Sequence, residues 1–298
     1  MGVDARPAAP TGALPDGVAE HVGAAAAQLA RTPGVLSVVL LGSAARGELS
    51  AARVDGRQEL FSDIELLVVT RGRLPGPVRR ALAADVDRLA AGWGYRSPLF
   101  HVDLVFRERA RLGSLPPFVF THELRVNGRT LHGPDVRAEI RPVTLASLDR
   151  RNTHEILMKR LWALAEALPA AWLDGLPLDA LGARALGVTL WRNALDVPTA
   201  LLPDAGVLLP TYGARVDRWR GAPALGCRTS IDAAVGADSG AFLAACLAAR
   251  AAAAASPDPA ADHARVAGLI AAGVLWAALD GDPARAPGRA ADVVADAA

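Results

Sequence analysis

Asp63 and Glu65 stand one residue apart at the head of an apolar run, Ile64–Val69, within the segment Ser62-Asp63-Ile64-Glu65. A short run rich in Leu, Ile and Val, bounded by polar residues, predicts a buried strand. Side chains alternate along a strand, so the two carboxylates point the same way. Two carboxylates on one face of an apolar strand repel each other and lose solvation unless positive charge lies between them. A divalent cation is the natural neutraliser. Hard oxygen ligands favour Mg²⁺, which takes one or two carboxylates together with substrate phosphates. Upstream, the run Val35–Leu41 ends in Gly42-Ser43, where a backbone amide and a hydroxyl can hold a phosphate. Arg46 follows, and the planar fork of its guanidinium suits the same group.

Two further groups could complete such a site. Asp103 lies in the run Leu99–Phe106, which predicts a third strand, and it shares a face with His101 and Val105. Alone it reads as a salt-bridged strand carboxylate; beside Asp63 and Glu65 it becomes a candidate third acid and metal ligand. Glu155 and Lys159 are spaced i, i+4 and lie on one face of a helix. The bland reading is a surface pair contributing roughly 0.2–0.5 kcal/mol. Its position on the first long helix after the strands supports a second reading, as base and phosphate-binding cation. Lys159 is the sole lysine of the chain.

The elements that must position these groups are legible to different degrees. Residues 1–16, rich in Pro, Ala and Gly, predict a disordered tail. Asp16 is placed to cap a helix over Gly17–Arg31, and Thr32-Pro33-Gly34 is a turn. A short helix is expected from Ala44, then a linker, Gly47–Phe61, up to the second strand. Pro77 opens a helix running to Ala91, with Val78, Leu82, Val86 and Leu89 at helical spacing. Asn127-Gly128 between short alternating runs predicts a hairpin over His122–Leu131. Beyond residue 142 the pattern is helical: Ser147–Leu168, Leu178–Ala194, Tyr212–Trp219, Phe242–Ala255 and Ala261–Leu279, with Pro198–Pro210 as a Pro-interrupted loop. Trp162, Trp172 and Trp191 read as packing residues, and Tyr212 as a candidate for lining an acceptor pocket. The tail from Gly281 is small and polar. The expected organisation is a tail over 1–16, an α/β (α+β) mixed-sheet domain over 17–142 and an all-helical domain over 143–298.

With 298 residues, 52% of them hydrophobic, the chain can bury a real core. A net charge of +1, spread over both halves, gives no basic track for nucleic acid and no membrane-surface field. No GxxxxGK occurs, which excludes a P-loop. Two cysteines form neither a metal-ligand spacing nor a disulfide framework. The N-terminal stretch lacks the charged-then-apolar pattern of a signal segment, and the longest late apolar run falls short of the ~20 residues that cross a bilayer, so a cytoplasmic protein is expected.

The segment from Val35 to Val69 resembles the signature of the DNA polymerase β-like nucleotidyltransferases, and most nearly that of kanamycin nucleotidyltransferase-like, drug-modifying enzymes of antibiotic resistance. Gly42, Ser43 and Arg46 match their Gly-Ser-x-x-Arg, and Ser62–Glu65 their Ser-Asp-Ile-Glu. The linker Gly47–Phe61 is longer than is usual there. The resemblance implies a small mixed-sheet polymerase β-like nucleotidyltransferase domain followed by a helical one. It implies Mg²⁺-dependent transfer of a nucleoside monophosphate, AMP from ATP foremost, to a hydroxyl of a small acceptor such as an aminoglycoside-like compound, with release of pyrophosphate. In these terms Asp63, Glu65 and Asp103 are catalytic and hold the metal, Gly42, Ser43, Arg46 and Lys159 bind the nucleotide, and Glu155 is the general base. A homodimer is compatible with that family. Two alternatives stand beside it: a protein-modifying nucleotidyltransferase resembling the minimal antitoxin type, and a nucleotide-binding module with a degenerate site.

Overall fold

A computed structural model describes residues 14–15, 17–168, 177–235 and 238–279. Residues 1–13 of the expected tail, the Asp16 cap, Trp172 and the segment from Gly281 lie outside the described residues. The chain divides into two compact units, with the break between Ser147 and Leu148.

The first unit is built on a mixed sheet. Its elements are α1 (Val18–Ala30), β1 (Val35–Leu40), α2 (Gly42–Arg46), β2 (Ala51–Val54), β3 (Arg57–Leu60), β4 (Ile64–Thr70), α3 (Gly76–Gly92), β5 (Val102–Glu108), α4 (Val119–Asn127) and β6 (Arg129–His132), with short 3₁₀ turns at Arg109–Ser114 and Arg137–Glu139. The strand order is β5-β4-β1-β6. β1 runs antiparallel to β4 and β6, whereas β4 and β5 are parallel, in register from Ile64↔Val102 to Thr70↔Glu108. Strand alternation divides the core in two. Val38, Leu40, Ile64, Leu66 and Val68 pack with Val22 and Leu29 of α1 and Leu82 and Val86 of α3. Val39, Leu41, Leu67 and Val69 face the other way and pack with Leu112, Leu124, Val136 and Ile140. Glu65 belongs by the same alternation to the second face, and Asp103 to that of Val105.

Two expectations fail here, both over turns. The long linker holds the hairpin β2–β3, whose turn is Asp55-Gly56; both residues have positive φ, 52° and 76°, as a two-residue type I′ turn requires. Asn127-Gly128 makes no hairpin. The residues before it form α4, the amide of Gly128 bonds to the carbonyl of Leu124, and β6 pairs with β1 far upstream. The third strand also begins at Val102, later than Leu99.

The second unit is helical, as its pattern predicts: α5 (Arg151–Glu166), α6 (Ala180–Leu201), α7 (Tyr212–Arg220), α8 (Gly226–Val235), α9 (Ser239–Ala251) and α10 (Pro259–Ala278). Its core joins Leu157 and Leu164 of α5 to Leu190, Leu195 and Leu201 of α6, Trp219 of α7 and Leu269 and Ile270 of α10. α8 is additional to the helices expected from the pattern, and α6 runs through Pro198 to Leu201 in place of the expected loop. Trp191 is a packing residue, 5% exposed, but Trp162 is not: it is 68% exposed, on the face of α5 opposite Leu157 and Leu164. Tyr212, expected to line an acceptor pocket, is buried, and its hydroxyl bonds at 2.8 Å to Asp196. Burial pushes the Asp196 carboxyl up, but Arg160, Arg192, Tyr212 and Arg215 together hold it below its ordinary value.

Candidate active site

The parallel register of β4 and β5 sets Glu65 beside Asp103 as direct neighbours. One residue before β5, the carbonyl of His101 accepts the amide of Ile64 at 2.9 Å, which aligns Asp63 with His101. Asp63, His101 and Asp103 accordingly bring one ligand atom each within 4.8 Å of one another, and His101 Nε2 lies 3.2 Å from Asp103 Oδ2. His101 and Asp103 are exposed and Asp63 is half-buried, so the cluster is open to a ligand. Two carboxylates and one imidazole form a hard-to-borderline donor set that fits Mg²⁺ or Mn²⁺. The sequence marks His101 only as sharing a face with Asp103. The signal for a larger role is the i, i+2 spacing in His101-Val102-Asp103, read through strand alternation.

Glu65 has a different neighbour. Its carboxylate lies over Gly42, where a Cβ atom would stand 1.8 Å from Oε2. Gly42 also has φ +61°, in the left-handed region. Both features let α2 start directly beside the acid strand, and the bond from Leu41 N to Glu65 O at 2.8 Å fixes that approach. Ser43 follows Gly42, is 8% exposed, and its buried Oγ has no hydrogen-bond partner among the described residues. A buried hydroxyl without a partner is costly unless a ligand supplies one.

Ser62, the first residue of the acid motif, accepts a hydrogen bond from Ser50 N at 2.9 Å. Together with Phe61 N bonding to Ser50 O at 2.8 Å, this closes the base of the β2–β3 segment just before Asp63. The far side of that hairpin is tied down by Glu59, whose buried carboxylate receives Arg96 N at 2.7 Å and Arg96 Nε at 2.6 Å. Burial alone would push the Glu59 carboxyl up, but the bonds and charge of Arg96 outweigh it and hold it below its ordinary value.

Arg46 does not extend a bare cation toward a phosphate. Its side chain is 7% exposed, with Nε 2.6 Å from Glu48 and Nη1 2.7 Å from Glu123 on α4. The amide of Gly47, which carries φ +71°, and the bond from Glu48 N to Ser43 O at 2.8 Å complete this end of α2. The sequence does not single out Glu123, because the expected hairpin puts it on a strand. On the second unit, Glu155 and Lys159 are both exposed on α5, with Nζ 3.9 Å from Oε2.

No family model matches the sequence, and no curated protein matches it either. A solved structure does match: the crystal structure of spectinomycin adenyltransferase AAD(9) from Enterococcus faecialis with ATP and spectinomycin. Identity is 11% and the TM-score 0.51, over 85% of this chain and 98% of that one. The chain therefore shares the fold of that structure, a mixed sheet with helices followed by a helical region, as the Gly-Ser and acid motifs implied.

Proposed function

We propose that this protein transfers a nucleoside monophosphate, AMP foremost, from a nucleoside triphosphate to a hydroxyl of a small-molecule acceptor and releases pyrophosphate. The observation that carries this reading is the Asp63–His101–Asp103 cluster, gathered where β4 and β5 begin, with the Gly42-Ser43 turn against the neighbouring Glu65. The structural relative was solved with ATP and spectinomycin, which supports an adenine nucleotide as donor and an aminoglycoside-like compound as acceptor.

Asp63, Asp103 and His101 hold the divalent cation in this reading, with Glu65 as the acid between the cluster and the turn. When bound, the cation neutralises charge on the triphosphate. The amides at the start of α2 and the unpartnered Ser43 hydroxyl receive phosphate oxygens. Arg46 acts as a positioning residue, locking α2 to α4 through Glu123. The acceptor oxygen attacks the α-phosphorus, the bond to pyrophosphate breaks, and Glu155 takes the acceptor proton. Lys159 adds positive charge to the triphosphate. Most of the rate gain then comes from positioning and electrostatics.

Thermal stabilisation by ATP, with and without Mg²⁺, tests the reading without a known acceptor. Ligand at ten times its dissociation constant stabilises by about 1.4 kcal/mol, a shift of about 2–5 °C for a domain of this size. The expected result is a Mg²⁺-dependent shift that disappears in Asp63→Asn/Asp103→Asn. Absence of a shift with every common nucleoside triphosphate at millimolar concentration would overturn it.

A further inference from the structure

A cavity of about 450 Å³ opens at the other end of the sheet. The candidate site lies where β4 and β5 begin; this cavity lies where they end, at Thr70 and Phe106–Glu108. The seven residues of β4 separate the two, roughly 20 Å at the rise of a strand. Four arginines converge on it: Arg73 from the loop after β4, Arg79 from the first turn of α3, Arg107 from β5 and Arg111 from the 3₁₀ turn.

Four other arginines of this unit, Arg46, Arg96, Arg109 and Arg137, are each paired with a carboxylate. The cavity offers one carboxylate, Glu108, and it stands 3.8 Å from Arg111. Arg107 donates to the Phe106 carbonyl at 2.9 Å and, among the described residues, has no ion-pair partner. Among the described residues Arg73 and Arg79 have no ion-pair partner. Like charges gathered in a concave, partly apolar surface raise the local potential and hold counter-ions. Guanidinium groups match phosphate in geometry and bind it in pairs. The volume falls in the range of about 300–1,000 Å³ typical of small-ligand sites. Leu74, Phe106 and Leu115 form an apolar wall against which an organic body can lie.

We propose that this cavity binds a small ligand carrying two or three phosphate groups, at a site separate from the Asp63 cluster and independent of a divalent cation. Inorganic tripolyphosphate is the probe, titrated calorimetrically into the full chain in the presence of EDTA. The expected result is saturable one-to-one binding that weakens at least tenfold in Arg73→Gln/Arg107→Gln and is unchanged in Asp63→Asn/Asp103→Asn. Arg79→Gln, an exposed change in the first turn of α3, gives a second reading if the double variant melts early. The proposal would be overturned by no saturable binding at millimolar tripolyphosphate, by binding indifferent to the arginine changes, or by displacement by sodium sulfate at matched ionic strength as complete as by pyrophosphate. Binding that appears only with long RNA would overturn it as well. Because the cation is chelated and the acid variants are included, failure here leaves the nucleotidyltransferase reading untouched.

Discussion

The Glu65 carboxylate lies so close to Gly42 that a Cβ at that glycine would stand 1.8 Å from Oε2 and 3.0 Å from Cδ. Gly42 is thus constrained by its φ of +61°, and any side chain there would also have to displace the tip of Glu65. Gly56, at φ +76° in the β2–β3 turn, has nothing within 4 Å of its Cβ position and feels the backbone constraint alone. Gly56→Ala is expected to cost about 1 kcal/mol, and Gly42→Ala about 1–3 kcal/mol, because the Glu65 carboxylate must also swing away. Urea denaturation of the two variants measures the difference. Removing the collision in Gly42→Ala/Glu65→Ala should recover part of the loss, since residues in contact are coupled.

The Asp63–His101–Asp103 cluster makes a separate prediction. His101→Ala and Asp103→Asn should each weaken Mn²⁺ binding by about 10-fold or more, read by the loss of free Mn²⁺ signal in electron paramagnetic resonance. Glu65→Gln should have the smaller effect, because its carboxylate is directed at Gly42. Equal affinity in His101→Ala and wild type would remove the imidazole from the ligand set and leave a purely carboxylate site.

Arg46 is held by two carboxylates, Glu48 and Glu123, whose side chains are 16% and 14% exposed. Its removal leaves both with reduced compensation in a partly buried setting. Arg46→Met is expected to destabilise by about 2–4 kcal/mol, less than a fully buried pair would lose. Arg46→Lys, which keeps the charge and loses the fork, should fall between. A Mg²⁺-independent loss of ATP binding in Arg46→Lys with unchanged stability would instead make Arg46 a phosphate ligand.

The parts legible in the sequence are those with local causes. Val35–Leu41 and Ile64–Val69 are β-branched and leucine-rich runs with polar ends, and both are strands; strand alternation then fixes which acids share a face. Turns are less legible because two dipeptides compete. Asn127-Gly128 and Asp55-Gly56 carry the same local signal, and only the second is a hairpin. What decides the first is the burial of Leu124 at the second face of the sheet, which a helix achieves, and the pairing of β6 with a strand some ninety residues upstream, visible in Ser37 bonding to His132 O across a separation of 95. Pro198 misleads for a related reason. Ala194, Leu195, Val197, Ala200 and Leu201 around it are all buried, and that burial outweighs the missing amide of one proline. Glu123 as the partner of Arg46 depends on the same long-range placement of α4.

The Glu59–Arg96 pair predicts a pH dependence. Arg96 holds the Glu59 carboxyl below its ordinary value of 4.5, so the folded state binds its proton less readily than the unfolded chain. The pair therefore contributes stability above that ordinary value and loses it as pH falls through the lower, folded value. Glu59→Gln should cost about 1–3 kcal/mol at neutral pH, since Arg96 is partly exposed and can recover water. The gap between wild type and Glu59→Gln is expected to be constant from neutral pH down to about 4.5 and to narrow below it. Urea midpoints at closely spaced pH values check this. A gap that widens on acidification would reverse the assigned sign.

Glu155 and Lys159 separate catalysis from stability. Both are exposed, and their 3.9 Å pairing on α5 contributes no more than a few tenths of a kcal/mol, so Glu155→Gln and Lys159→Ala should each leave the melting temperature within about 1 °C of wild type. If Lys159 touches the triphosphate, Lys159→Ala weakens Mg²⁺-ATP binding about 10-fold while Glu155→Gln leaves it unchanged, because a base for the acceptor proton makes no contact with the donor nucleotide. Once an acceptor is in hand, Glu155→Gln should lower kcat by about 10²–10⁴-fold at unaltered ATP affinity. Identical ATP binding and turnover in wild type and both variants would reduce the pair to an ordinary surface contact of α5.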